Sequence, residues 1–334
     1  MQRRNHPCVR FMLGSGLPMG AICWLAPAQA QPTAVCPDRT DSQLDVPAGV
    51  VCAIQPSLTD RAIFDGSGRG YGYHVVGIPK HLDRLQGVFL YLLGSGGKPF
   101  DPDRGLFTPG QSMEEGMAQN YLVISLAHAN ADPVGTLCGN RSSCYGAVRE
   151  EIVYGTPVAS EVRVDQANSI VHRLDALIGF LKRYLPTDFP FPAAISGKTI
   201  NWRKLRLGGS SQGGGHAGYL ARDQTVERLC FLASPVDSTT QANPPRGSVE
   251  TVSAYWVGEQ SWQTSVEQSR GVVHQGDQYY AGIVANYETL GLRKSTSESN
   301  PNHNWVELTA PTDNAHTAPA NERDFAYARE WACF

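Results

Sequence analysis

The chain has 334 residues, with 28 Lys and Arg against 31 Asp and Glu, a formal charge of −3, and a 41% hydrophobic composition. That balance argues against nucleic acid or an anionic membrane as a partner, since both call for a basic surface. The apolar content is that of a chain able to build a core, not of a disordered one.

Taken in chain order, residues 1–30 come first. Arg3, Arg4 and Arg10 precede an apolar run that closes on Ala28-Gln29-Ala30, the order expected of a cleavable secretory signal peptide. The run is too short, and too broken by Pro18 and glycines, for a membrane anchor. Cleavage after Ala30 would remove three arginines and no acid, so residues 31–334 would carry −6, exported to the periplasm or beyond. Of the eight cysteines, Cys8 and Cys23 leave with the leader. Cys36, Cys52, Cys138, Cys144, Cys230 and Cys333 remain, an even number that suits disulfides in an exported chain. Cys138 and Cys144 flank the polar "GNRSS" and make the nearest pair. Cys230 sits in the apolar "LCFLA" and is open to two readings, a buried free thiol or a bridged one.

Residues 31–70 are rich in turn formers and show no clear period. "YGYHVVGIP" (71–79) alternates as a strand does, while "GVFLYLLGSGGKP" (87–99) and "NYLVISLAH" (120–128) read as buried strands. A polar excursion over 129–164 follows. In "DQANSIVHRLDALIGFLKRYLP", Ile170, Leu174, Leu177, Ile178, Leu181 and Leu185 share one helical face and Pro186 ends the helix. "WRKLRLGG" is the next strand, "GGHAGYLARD" a helix, and "VERLCFLASPVD" (226–237) a strand. After a second excursion, 238–264, come strand "SRGVVHQGDQ" (269–278), helix "YAGIVANYETLGL", strand "NWVELTAP" (304–311) and a closing helix in "ERDFAYAREWACF". Strands alternating with helices imply a parallel sheet covered on both faces, with 31–334 as one domain.

The joint between strand and helix at "GGSSQGGG" breaks this rhythm. A flexible linker would have polar, mobile flanks, whereas this run is bordered by "LRL" and "HAGYLA". Gly209-Ser210-Ser211-Gln212-Gly213 instead fits G-x-S-x-G, in which a strained turn exposes a serine between a strand and a helix. The spacing selects Ser211, because Ser210 would have Gln212 where a small residue is needed two positions on. A dinucleotide-loop look-alike over Gly66–Gly70 lacks the final spacing and a following helix. The cysteine and histidine spacings match no zinc site. Nothing in the chain calls for a metal or an organic cofactor.

The strand–"GGSSQGG"–helix unit, with the alternation over 71–334, resembles the α/β-hydrolase superfamily. "CGNRSSC", "GSSQGGGHA" and "SPVD" are most similar to secreted bacterial serine esterase-like proteins. The resemblance implies an α/β-hydrolase fold, a mostly parallel central sheet with helices on both faces. It also implies a Ser-Asp-His triad in that chain order. Ser211 would be the nucleophile. The base is expected in the loop after the last strand, which selects His316 over His303 before that strand, His216 behind the elbow and His274 at a strand end. The acid stays open between Asp277, after "GVVHQG", and Asp237, after "CFLASPV". Glu259 is a more distant candidate, and Asp313 lies too near His316 along the chain. The oxyanion donors would be the backbone N–H of Gln212 and of Ser95 in "LLGSGGKP", where the usual His-Gly pair is missing and the Ser95 hydroxyl is open to help. The two excursions would wall a pocket with Tyr145, Tyr255, Trp256 and Trp262. The function implied is hydrolysis of a small or polymeric carboxylic ester. A ligand-binding protein that kept the fold, and an amidase or peptidase, are the competing readings.

Overall fold

The computed structural model describes residues 34–66, 70–108, 110–243, 248–258, 261–295 and 303–334. The expected leader and Glu259 lie outside the described residues. Among those residues, nine strands make one sheet: β1 (Ser42–Val46), β2 (Gly49–Ile54), β3 (His74–Pro79), β4 (Gly87–Leu92), β5 (Tyr121–Ser125), β6 (Leu205–Ser210), β7 (Arg228–Leu232), β8 (Ser269–His274) and β9 (Trp305–Leu308). Their spatial order is β1-β2-β3-β5-β4-β6-β7-β8-β9. From β5 to β9 every neighbouring pair is parallel. β3 runs antiparallel to both of its neighbours, and β1 pairs with β2 as a hairpin.

Successive strand side chains point to opposite faces, so each central strand supplies two cores. Val88, Leu90 and Leu92 of β4 face one core, and Phe89 and Tyr91 the other. The first core is closed by α2 (Ser142–Tyr154), α3 (Ile170–Tyr184), α4 (Gln212–Asp223) and α5 (Tyr280–Thr289). The second is closed by α1 (Gln111–Ala118), through Met113 and Met117, and by α6 (Ala326–Cys333), through Ala328 and Ala332. α3 forms where the apolar spacing placed it. The Ser169 side chain accepts the His172 N–H at its start, and Lys182 and Arg183 lie in its last turn, where the helix dipole favours cations. The mostly parallel central sheet with helices on both faces is the architecture expected from the sequence.

Between β4 and β6 the chain reverses its direction of travel across the sheet. β4 leads to β5 on one side, and the chain then returns to place β6 on the other. In open α/β sheets such a reversal opens a crevice beyond the carboxyl ends of the strands. Two loops of interest, after β4 and after β6, meet at that crevice.

Three regions differ from the sequence reading. The turn-rich stretch 31–70 contains β1 and β2; β1 is an exposed edge strand with a polar sequence, so it carries no apolar alternation. The excursion 129–164 is largely helical, with a short helix Val134–Cys138 leading into α2. The second excursion contains a two-stranded hairpin, Ser238–Asn243 against Ser248–Ser253.

Three disulfides join Cys36 to Cys52, Cys138 to Cys144 and Cys230 to Cys333. Cys230 is therefore bridged and not free, and it fastens α6 to β7. The Cys230–Cys333 bridge closes 103 residues, and a loop that long restricts the unfolded chain strongly. Replacing both cysteines by alanine should lower stability by about 2–5 kcal/mol, read as a drop in Tm; an unchanged Tm would show that the bridge contributes nothing.

Candidate active site

β6 runs straight into the turn. Ser211 has φ 51° and ψ −124°, a region that non-glycine residues rarely occupy and that is held only when its surroundings over-determine it. Here they do. The Ser211 N–H donates to the Leu232 carbonyl at 3.0 Å and its own carbonyl accepts the Gly215 N–H at 3.2 Å. The glycines two residues to either side follow from close approach. A Cβ on Gly209 would lie 2.6 Å from the Leu92 carbonyl oxygen, and one on Gly213 would lie 2.1 Å from the same atom. Ser210, the alternative serine, lies beside the buried Tyr91 phenol.

Two other loops bring side chains to this turn. His316 Nε2 lies 2.8 Å from Ser211 Oγ, and His316 Nδ1 lies 2.8 Å from Asp277 Oδ2. The second Asp277 oxygen accepts the Tyr279 N–H at 2.8 Å. The Asp277 side chain is fully buried and that of His316 is 16% exposed. The ring of Tyr279 stands edge-on to His316 at 4.9 Å. A carboxylate on Nδ1 fixes the tautomer: Nδ1 carries the proton, and Nε2 presents a lone pair to the serine hydroxyl. The Asn314 side chain accepts the N–H groups of His316 and Thr317 at 3.1 Å each, shaping the histidine loop.

His274, set aside as a strand-end residue, links these loops. Its Nδ1 accepts the Gly276 N–H at 3.0 Å and its Nε2 donates to the Ala310 carbonyl at 2.8 Å. It thus ties the segment leading to Asp277 to the segment leading to His316. The signal in the sequence was its place, three residues before Asp277.

Asp237 does not join this group. It is fully buried and held by one edge of the Arg149 guanidinium, Nε and Nη2 each at 2.5 Å, and it accepts Trp256 Nε1 at 2.7 Å. Arg149 also donates Nη1 to the Gln212 carbonyl at 3.1 Å and to His216 Nδ1 at 3.2 Å. Burial and the Arg149 charge hold His216 far below the ordinary imidazole range, so it stays neutral and accepts. Arg149 fills the space beside Gly215, where a Cβ would lie 2.0 Å from Nη2. Nothing in "AVREEIV" distinguishes this arginine from a solvated helix residue.

On the other side of Ser211 lies the loop after β4. Gly94 packs against the serine, and a Cβ there would meet Ser211 Cβ at 3.1 Å. The Ser95 hydroxyl is engaged, donating to Gln212 Oε1 at 2.5 Å, so it is not directed at a ligand. Gln212 opens α4, and the first N–H of a helix has no partner along the helix. The aromatic walls expected from the excursions are largely core. Tyr145 and Trp256 are buried, Trp262 stacks on Trp256 at 5.9 Å, and Tyr255 alone is well exposed. Among the described residues no cluster of His, Cys, Asp or Glu could hold a metal ion, and no helix is long and apolar enough to cross a membrane.

No protein-family model matches the sequence, and no curated protein does. Solved structures do align with it. An S-formylglutathione hydrolase from Agrobacterium tumefaciens aligns over 89% of this chain and 100% of its own, with TM-score 0.48 and 11% identity. A serine-to-alanine mutant of the feruloyl esterase module of Clostridium thermocellum, complexed with sinapinate, aligns over 92% of this chain and 96% of its own, with TM-score 0.41 and 12% identity.

The Arg149–Asp237 pair has no access to water, so removing one partner strands the other charge. Arg149→Met and Asp237→Ala should each cost about 3–5 kcal/mol in urea unfolding. The double variant Arg149→Met/Asp237→Ala should cost less than the sum of the two; simple additivity would show that the pair is not coupled.

Proposed function

We propose that this chain is an exported serine hydrolase that cleaves carboxylic esters through an acyl-enzyme intermediate. The observation that carries the reading is the unbroken path Ser211 Oγ–His316–Asp277, with both links at 2.8 Å. A serine hydroxyl is a weak nucleophile until a base within hydrogen-bond reach can take its proton. In this reading Ser211 Oγ attacks the ester carbonyl carbon while His316 Nε2 takes the hydroxyl proton. Asp277 accepts the Nδ1–H and stabilises the imidazolium that forms. The carbonyl oxygen gains the negative charge and is met by the backbone N–H groups of Gln212 and Ser95. Collapse of the tetrahedral intermediate breaks the bond to the leaving oxygen, which receives the proton from His316 Nε2. Water then repeats the sequence on the acyl-serine and releases the acid and the free serine. The three disulfides and the expected leader support export to an oxidising compartment.

The roles separate by mutation. Ser211→Ala should lower turnover of short p-nitrophenyl esters by about 10⁴–10⁶-fold with an unchanged Tm, whereas Ser210→Ala should retain most activity. Asp277→Asn should cost on the order of 10⁴ in kcat by presenting the wrong tautomer. Asp237→Asn should act mainly on stability. Full activity of Ser211→Ala, or an active Asp277→Asn, would contradict the assignment.

A further inference from the structure

The segment from Asn130 to Arg149 touches the loop that carries one candidate oxyanion donor, Ser95, and the residue that carries the other, Gln212. Asn130 is 1% exposed and sits at the head of the excursion. Its Nδ2 donates to the carbonyls of Gly94 at 2.8 Å and Gly97 at 2.9 Å, and its own carbonyl accepts the Gly96 N–H at 2.7 Å. Its Oδ1 accepts the Tyr71 N–H at 3.2 Å. Four residues on, the Val134 N–H donates to Gln212 Oε1 at 3.3 Å, the same oxygen that receives the Ser95 hydroxyl at 2.5 Å. The Val134 donor settles which way the Gln212 amide faces, because only its oxygen can accept there. The segment ends on Arg149, whose Nη1 reaches the Gln212 carbonyl at 3.1 Å. Between them the Cys138–Cys144 disulfide joins the end of the short helix that begins at Val134 to the start of α2.

We propose that Asn130–Arg149, closed by the Cys138–Cys144 disulfide, is a frame that sets the oxyanion donors, with Asn130, Val134 and Arg149 as positioning residues for Ser95 and Gln212. This rests on the hydrolase reading above. The physical need is plain. The loop "GSGG" has three glycines in four residues and so has almost no side chains with which to hold its own shape; its conformation is set by hydrogen bonds supplied from outside. The Gln212 peptide likewise follows a glycine-rich turn. Transition-state donors must be held to about half an ångström, and a misplacement of about 1 Å can cost about a hundredfold in rate. The Ser95–Gln212 side-chain link couples the two donor residues directly, and Val134 and Asn130 hold that link from one continuous piece of chain.

Val134→Pro tests the frame with little cost to folding. Val134 is the first residue of its helix, where proline is well tolerated. The preceding Pro133 already has φ −63° and ψ 128°, the extended conformation that a following proline requires. The substitution deletes the N–H to Gln212 and leaves the triad side chains in place. Asn130→Ala removes the grip on Gly94 and Gly97. Each variant is compared with wild type by active-site titration with a fluorophosphonate, by kcat and KM per titrated site, and by inhibition with a trifluoromethyl ketone, whose adduct places an oxyanion at the donors. The frame predicts a fall in kcat per site of about tenfold to a hundredfold, KM within about threefold, and ketone affinity weakened in parallel with kcat; Val134→Pro decides should Asn130→Ala not fold. A purely structural role would lower the titrated fraction and leave kcat per site and ketone affinity unchanged, which would overturn the proposal. A wild-type protein that neither titrates nor hydrolyses would instead overturn the hydrolase reading on which it rests.

Discussion

The structure turns on the backbone of one residue. Ser211 is held at φ 51°, where β6 and α4 press within contact distance of the end of β4. Side chains two residues to either side would strike the Leu92 carbonyl, so the glycines are required by space and not by flexibility. The strain is met by hydrogen bonds to Leu232 and Gly215, and its result is a serine hydroxyl projecting beyond the sheet edge. Every other part of the site is placed relative to that hydroxyl.

Two unlike environments then divide the polar groups around the turn. In front, His316 and Asp277 arrive on loops after β9 and β8, joined to one another through His274. Behind, Arg149, Asp237, Trp256 and His216 form a buried network. A buried ion pair of this kind is weak evidence for net stability, since desolvation of both charges offsets much of their attraction. Its visible effect is geometric, because Arg149 also grips the carbonyl of the residue following the serine. Two aspartates at the ends of neighbouring strands thus take opposite parts, one facing the histidine and one facing the arginine.

Most of the parallel sheet could be read in the sequence, because central strands buried on both faces are nearly continuous apolar runs. The edge hairpin could not, since β1 is exposed and polar and its pairing with β2 is decided by tertiary contact. The helices of 129–164 were hidden because α2 buries Arg149 and Glu151 among its apolar residues, and that mixture reads as a polar loop. Ser211 and His316 followed from motif and chain order. The choice between Asp277 and Asp237 could not be made from sequence, because both close a strand at the same edge and only the position of Arg149 separates them. Asn130 and Arg149 had no local signal: their partners are backbone carbonyls 36 and 63 residues away in sequence.

The central claim is that Ser211 is an activated nucleophile, and covalent capture tests it most directly. Wild-type protein and a His316→Ala variant are treated with a fluorophosphonate, digested, and the modified peptide located by mass spectrometry. The account predicts one adduct, on Ser211, formed rapidly in wild type and at least about a hundredfold more slowly in the variant, in keeping with the scale of general-base catalysis. An adduct on another serine, no adduct under conditions that label known serine hydrolases, or equal rates in the two proteins would contradict it.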